Sequence, residues 1–324
     1  MPCPPEPETT ASLAAVVGGW LRRFGLVLAL ALIVAALGLA KPNFLTSSNL
    51  INVARQISIN GILAVGVTLV LLTGGVDLSL GSLVALTGVI AASFAHPGDF
   101  FLVVPLFMGI AAGTACGAIN GAVVTRGGVP PFIATLGMMT IARGLAQVLS
   151  GGRPVSNMNP DMTRIAGDVA GIPIPVVILA CVALAAWAIL ANTRIGRHIY
   201  AVGGNENAAR ASGIHVCRVK MFAYTFCGGL AGLAGIVLAA RIATGQPNAG
   251  IAYELDAIAA VVIGGTSLSG GVGSVGGTVL GALLMGVINN GLDLLDVSSY
   301  YQQIIKGMII IGAVWFDRRN ARGS

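Results

Sequence analysis

The chain has 324 residues, of which 56% are hydrophobic and 9% charged, and its formal net charge is +6. An ordinary soluble domain carries about 25% charged residues. This composition excludes a single water-soluble globular domain and indicates an integral membrane protein.

The predicted elements begin with a polar tail. Residues 1–23, which start MPCPPEPETT, are rich in Pro and acidic side chains and predict a cytoplasmic N-terminal tail. Uncharged runs follow, and a run of about 18 or more apolar residues can cross a bilayer as a helix. Eight runs, two of them interrupted by a single basic residue, hold one span each: 24–40, 57–75, 78–95, 100–125, 127–152, 169–193, 221–240 and 300–316.

Two further spans fit the 36 uncharged residues at 257–292, which have a glycine-rich middle. The first of the two begins near Gly250. The prediction is an all-α integral membrane protein of about ten transmembrane helices. The membrane domain covers 24–317, and 318–324 form a cytoplasmic C-terminal tail.

The Lys and Arg residues predict the orientation, because cytoplasmic loops carry the excess of positive charge. With the N-terminus inside, eleven of them fall in cytoplasmic segments and five in outer segments. Both termini are therefore expected in the cytoplasm. The first span could instead be a signal sequence, since Gly38, Leu39 and Ala40 resemble a cleavage site, but its long polar lead favours an uncleaved anchor.

The largest predicted cytoplasmic loop is 193–220, and it carries five of the eleven inner positive charges. Within it, 205–212 predicts a short helix, capped by Asn205, favoured by an acidic Glu206 in its first turn and ended by Gly213. A connector usually needs two to eight residues. The length and the capped helix predict a rigid contact with a cytoplasmic partner.

Two similar glycine-rich phrases, LTGGVDLSLGS at 72–82 and VIGGTSLSGGVGS at 262–274, lie on the predicted cytoplasmic side. Glycine permits close helix approach and positive φ, and paired broken segments line transport pathways. Two unrelated packing turns remain the alternative reading. On the first reading, four polar residues are expected near a translocation pathway: Asp77, Ser79, Ser269 and Asn289.

Several kinds of chemistry are not supported by the sequence. None of the three lysines lies in a phosphate-binding loop, so ATP must be hydrolysed elsewhere. GVGSVG at 271–276 matches a dinucleotide fingerprint, but it connects two membrane spans instead of a strand and a helix. The three histidines lack metal-ligand spacing. We therefore expect no cofactor, no metal site and no enzyme activity.

An ion-coupled secondary carrier is the alternative mechanism. Such carriers keep charged groups inside the bilayer. Apart from Arg143, the charged residues closest to the spans are expected at or near span ends, which favours positions at the membrane interface over positions deep in the bilayer. These residues are Asp77, Glu254, Asp256, Asp293, Asp296 and Lys306.

Several motifs occur in order along the chain: LTGGVDLSLGSLVALTGVIAA at 72–92, PPFIATLGMMTIARGLAQVLSGGRPV at 130–155, GGNENAARASGI at 203–214 and AIAAVVIGGTSLSGGVGSVGGTVLGALLMGVINNGL at 257–292. Through these motifs the chain resembles the membrane permease of bacterial ABC sugar importers of the ribose/xylose type. The resemblance covers about 43–319.

The resemblance implies a homodimer of ten-helix permeases in the bacterial inner membrane. It also implies a cytoplasmic ABC ATPase and a periplasmic sugar-binding protein as partners. It identifies the loop at 203–214 as the coupling loop that contacts the ATPase, with these residues: Gly204, Asn205, Glu206, Ala209, Ser212 and Gly213. It does not select the sugar, and the related branched-chain amino-acid permeases are the nearest alternative class.

Overall fold

The structure, a computed structural model, describes residues 13–321 and the side chains of 25–312, 314 and 315. Within this range the chain forms thirteen α-helices: α1 (Leu13–Ala40), α2 (Ser47–Leu72), α3 (Leu80–Ser93), α4 (Val103–Thr125), α5 (Pro131–Ser150), α6 (Pro160–Thr163), α7 (Ile174–Asn192), α8 (Arg194–Gly204), α9 (Glu206–Ala211), α10 (Val216–Ile242), α11 (Tyr253–Ile263), α12 (Val275–Leu294) and α13 (Ser299–Ala321).

Non-helical elements are few in the described part of the chain. Two 3₁₀ turns cover Pro42–Leu45 and Arg164–Ala166. Strands β1 (Asp168–Val169) and β2 (Ile172–Pro173) pair antiparallel, with Asp168 opposite Pro173. This small hairpin lies between α6 and α7, in the loop after α5. The architecture is all-α, as predicted.

A helix lies at each of the ten predicted span positions, but their lengths differ. Six are long and apolar enough to cross a membrane: α2, α4, α5, α7, α10 and α12. The helices α3 and α11 have 14 and 11 residues. At 1.5 Å per residue they extend about 21 and 16 Å, whereas the hydrocarbon core is about 30 Å thick. Ten crossing helices, and the side on which each terminus lies, stay predictions.

The predicted tails lie partly outside the described residues. Helix α1 already begins at Leu13, inside the tail predicted for 1–23, and α13 continues to Ala321. Positions 1–12 and 322–324 are outside the described range.

The helix α2 forms the centre of the bundle. In its most apolar 18-residue window 83% of the residues are buried, against 22% in the corresponding windows of α5 and α7. The inner helices are α2, α3 and α10, whereas α5 and α7 expose apolar faces at the surface of the chain. On α5 the exposed large apolar side chains include Phe132, Ile133, Leu136 and Ile141.

Glycines set the packing of α4 against α10. They recur every fourth residue on one face of α4, from Gly109 to Gly121. A Cβ atom added to Gly113 would collide with the carbonyl oxygen of Gly228, and one added to Gly228 would collide with that of Gly113. The two backbones are thus in direct contact, which is the way small residues hold membrane helices together.

Candidate functional site

The loop predicted at 193–220 is a folded unit, which we call the peg (residues 194–213, comprising α8 and α9). The hydroxyl of Thr193 caps α8 by accepting a hydrogen bond from the amide of Gly196 at 3.2 Å. The side chain of Asn205 caps α9 by accepting one from the amide of Ala208 at 2.9 Å. Gly213, at φ +82°, follows α9. The capped short helix predicted from sequence is confirmed.

The helix α8 was not predicted. Its pattern RIGRHIYAVGG places Ile195, Ile199 and Val202 at positions i, i+4 and i+7, and the side chains of Ile199 and Val202 are buried. That spacing is the signal of an amphipathic helix. The two glycines at the C-terminal end of α8, Gly203 and Gly204, disfavour a helix and so weakened this signal in the sequence.

Glu206 forms ion pairs within the peg and with the start of α10. Its carboxylate oxygens lie 2.6 Å from Nζ of Lys220 and 3.0 Å from Nη2 of Arg210. The hydrogen bond from Lys220, and to a smaller extent the Arg210 charge, lower the pKa of Glu206 below its ordinary value of 4.5. These contacts fasten α9 to α10.

The six residues expected in the coupling loop do not all lie on the surface. Ala209 is buried, 5% exposed, and packs into the hydrophobic core. Gly204, Asn205, Ser212 and Gly213 are exposed, and the Glu206 side chain is partly exposed. Ala209 therefore anchors the peg, while the other residues form its outer surface.

The base of the peg meets both glycine-rich phrases. We call this contact the glycine junction; it consists of residues 72–75, 203–204 and 269–273. The amide of Gly271 donates to the carbonyl of Leu72 at 3.0 Å, so the two phrases are joined directly. A Cβ atom on Gly203 would collide with the Leu72 oxygen and the Gly271 nitrogen. A Cβ atom on Gly270 would lie 2.9 Å from the nitrogen of Gly74.

Positive φ angles explain why glycine occupies the junction. Gly74, Gly270 and Gly271 have φ angles of +75°, +88° and +75°, which other residues rarely adopt. The hydroxyl of Tyr200, on α8, donates to the carbonyl of Gly273 at 3.0 Å. The two phrases, about 190 residues apart in sequence, therefore converge on the peg and are not independent turns.

Two of the residues predicted near a translocation pathway form one buried group. The Asp77 carboxylate accepts hydrogen bonds from the Ser79 amide at 2.9 Å and the Ser79 hydroxyl at 2.6 Å. Asn120, from α4, donates to the Ser79 hydroxyl at 3.0 Å. Asp77 and Ser79 are 0% exposed. This group fixes the turn between the glycine junction and α3.

The other two predicted pathway residues lie elsewhere. Ser269 is exposed in the glycine junction. Asn289 is buried on α12, fourteen residues after its start at Val275, or about 21 Å along the helix axis. The structure thus brings Asp77 and Ser79 together and keeps Asn289 apart. A pathway role for all four stays a prediction.

Two of the charges expected near span ends are buried within the protein. Asp77 is buried, and Asp256 is 4% exposed and accepts a hydrogen bond from Nζ of Lys306 at 2.9 Å. Both lie at helix ends, Asp77 before α3 and Asp256 in the first turn of α11, and their interfacial position stays a prediction. Among the described residues, no group of three or more His, Cys, Asp or Glu side chains could hold a metal ion.

Six apolar helices of spanning length, among the described residues, indicate a multi-pass membrane protein. Comparison with known families identifies it further. The family model "Branched-chain amino acid transport system / permease component" matches residues 49–314. The chain belongs to this family, as an inner-membrane ABC permease of the ribose/xylose type.

Three relatives cover nearly the whole chain. The ribose import permease protein of Escherichia coli (strain K12) is 49% identical over 93% of this chain and 95% of its own length. The D-allose transport system permease protein of the same organism is 40% identical over 91% of each chain. The xylose transport system permease protein of Haemophilus influenzae is 36% identical, over 93% and 97%. No solved structure matches the chain.

Proposed function

We propose that this chain is the transmembrane permease subunit of an ATP-driven ABC importer that carries a monosaccharide across the bacterial inner membrane. The observation that carries the proposal is the capped peg seated on the glycine junction. Relatives named as ribose, allose and xylose permeases support a sugar as the cargo. The permease itself is not an enzyme on this proposal, because a partner hydrolyses the ATP.

Each exposed surface of the chain is assigned one of the proposed partners. The exposed face of the peg contacts a cytoplasmic ABC ATPase. The loops at the opposite end of the bundle contact a periplasmic sugar-binding protein. A second copy of the permease and membrane lipid cover the exposed apolar faces of helices such as α5, where Phe132 is 58% exposed.

Coupling on this proposal is direct. ATP-driven closure of the ATPase moves the peg, and the backbone of Gly203 lies against those of Leu72 and Gly271, so a movement of the peg toward them would displace both. The motion passes at once to the end of α2 and to the loop before α12. Two alternative packings of such a contact, each favoured by a different ligand state, would give alternating access.

Two other functions are each favoured by one observation. The family description favours branched-chain amino acids as the cargo. The buried ion pair between Asp256 and Lys306 favours an ion-coupled carrier, because intramembrane charges commonly carry coupling ions. The charges of Asp256 and Lys306 already neutralise each other, so the pair needs no coupling ion. An ion-coupled carrier also gives no reason for the peg, whereas an ATP-driven importer does.

The test begins with affinity purification of the chain from its native membrane. Recovery of an ATPase subunit is expected, followed by ATP-dependent uptake of radiolabelled D-ribose, D-allose or D-xylose by the complete importer in vesicles. Uptake should persist with an uncoupler while ATP is maintained. Uptake that collapses with the uncoupler would identify an ion-coupled carrier, and uptake of L-leucine instead of sugars would identify an amino-acid permease.

A further inference from the structure

A cavity of about 390 Å³ lies between α5 and the N-terminal ends of the short helices α3 and α11. Its volume lies within the range of small-molecule sites, about 300–1,000 Å³. The lining combines two charged side chains, two hydroxyls and three apolar side chains: Arg143, Glu254, Ser82, Thr140, Met139, Ile251 and Ala252.

The cavity lies at mid-depth of the bundle. Thr140 and Arg143 are the tenth and thirteenth of the twenty residues of α5. The backbones of α3 and the segment before α11 meet here, because a Cβ atom on Gly81 would collide with the Gly250 oxygen and the Glu254 carboxylate. Transport sites are commonly built near the midplane at the ends of such discontinuous helices.

The polar lining retains hydrogen-bonding capacity. Nη1 of Arg143 donates to the carbonyls of Pro247 at 2.7 Å and Ala249 at 2.8 Å, which orients the guanidinium and leaves its other nitrogens without a hydrogen bond among the described residues. Ser82 is 2% exposed, and its hydroxyl makes no hydrogen bond within the described part of the chain. The hydroxyl is not enclosed by protein atoms: it lines the cavity, where it can donate a hydrogen bond to a ligand and accept one from it.

The mouth of the cavity is at the protomer surface, where Ile251 is 66% exposed. Charged side chains at membrane depth face protein or water instead of lipid. This side of α5 and α11 must therefore face a water-filled space or another chain, as the pathway between two permease copies would.

We propose that this cavity is a transient site for a neutral monosaccharide in transit, whose hydroxyl groups accept hydrogen bonds from Arg143, donate to the Glu254 carboxylate, and exchange hydrogen bonds with the hydroxyls of Ser82 and Thr140. The inference rests on the proposed function and adds a binding site within the permease. One cation and one anion balance each other, so the lining favours a neutral polyhydroxyl ligand over a sugar phosphate. The apolar Met139 and Ile251 suit the carbon faces of a sugar ring.

The test uses the complete importer, with the partners recovered with the chain, in vesicles supplied with ATP. Initial uptake rates of D-ribose, D-allose and D-xylose are measured at saturating sugar for Ser82→Ala and Thr140→Val. Matched controls are Ser93→Ala, on the same helix outside the cavity, and Thr114→Val, whose hydroxyl donates within its own helix as that of Thr140 does. The amount of each variant in the membrane is measured in parallel.

The expected result is a change of about 2- to 12-fold in the ratio of rates for two sugars in the cavity variants, the effect of one hydrogen bond. The binding protein is the same throughout, so a changed ratio originates in the permease. Unchanged ratios in both cavity variants, or changes as large in the controls, would overturn the site while leaving the proposed function intact. Wild-type vesicles without ATP-dependent sugar uptake would overturn the proposed function itself, and inhibition of uptake by L-leucine would overturn the sugar as ligand.

Discussion

The substitution Gly203→Ala tests the glycine junction most directly, because the chain offers a matched control at the next position. A Cβ atom on Gly203 collides with the backbones of Leu72 and Gly271, whereas one on Gly204 has no atom within 4 Å. Both glycines belong to α8. The gain in helix propensity, about 1 kcal/mol at most, is therefore similar for the two variants and cancels when they are compared.

The remaining difference between the variants comes from the junction. Overpacking costs about 1–3 kcal/mol. Separation of the junction also breaks the hydrogen bond from Gly271 to Leu72, which contributes about 0.5–1.5 kcal/mol. Gly203→Ala should therefore be less stable than Gly204→Ala by about 3 kcal/mol. At about 2 °C per kcal/mol for a large domain, the difference in Tm is about 6 °C.

The measurement is thermal unfolding of the purified permease in nanodiscs, which needs no partner. A second measurement, on the complete importer, is the number of ATP molecules hydrolysed per sugar carried, which we expect to rise for Gly203→Ala. Equal Tm values for the two variants would refute the tight contact. A destabilised variant with an unchanged ATP-to-sugar ratio would refute the role of the junction in coupling and keep only its structural role.

Three further predictions concern the peg and the buried ion pair. Asn205→Ala removes the cap of α9 and should lower the free energy of unfolding by about 1 kcal/mol, measured as a lower Tm. The hydrogen bond from Lys220 lowers the pKa of Glu206 in the folded protein. The ionised carboxylate should therefore stabilise the fold at neutral pH, and this stabilisation should be lost as the pH falls below about 4.5. In Glu206→Gln the Tm should fall less steeply than in the wild type below that pH. Lys306→Met leaves the buried Asp256 carboxylate unpaired and should cost about 3 kcal/mol, and adding Asp256→Asn should restore most of the lost Tm if the ion pair is the cause.

Local signals in the sequence were sufficient for α9, the second helix of the peg. A capping Asn205, an acidic first turn and a terminating Gly213 lie within nine residues, and the structure confirms the helix between them. The role of Glu206 could not be read in the same way. Lys220 lies fourteen residues further along the chain, and only the fold brings its ammonium group to the carboxylate.

The short helix α3 shows why hydropathy overestimates the length of a helix. The run 78–95 is uncharged throughout, but only 80–93 is helical, because Asp77 and Ser79 hold the chain in a turn. Hydropathy does not register such a turn, in which Ser79 donates to one oxygen of the Asp77 carboxylate and accepts a hydrogen bond from Asn120, while Oδ2 of Asp77 has no partner among the described residues. The sequence placed Glu254 near a span end and Arg143 within a span, and it did not indicate that the two share a cavity.

Two short structural routes connect the glycine junction with the cavity, and together they relate the peg to the proposed sugar site. The helix α11 begins at the cavity, which Glu254 lines, and ends at Ile263, six residues before the junction segment 269–273. The other route is the segment 73–79, held at the carbonyl of Val76 by hydrogen bonds from Tyr224 and Thr135. A displacement of the peg at Gly203 would therefore reach the N-terminal ends of α3 and α11, which line the cavity. If coupling uses these routes, Gly203→Ala should change the sugar selectivity measured for the cavity variants, although its position is remote from the sugar.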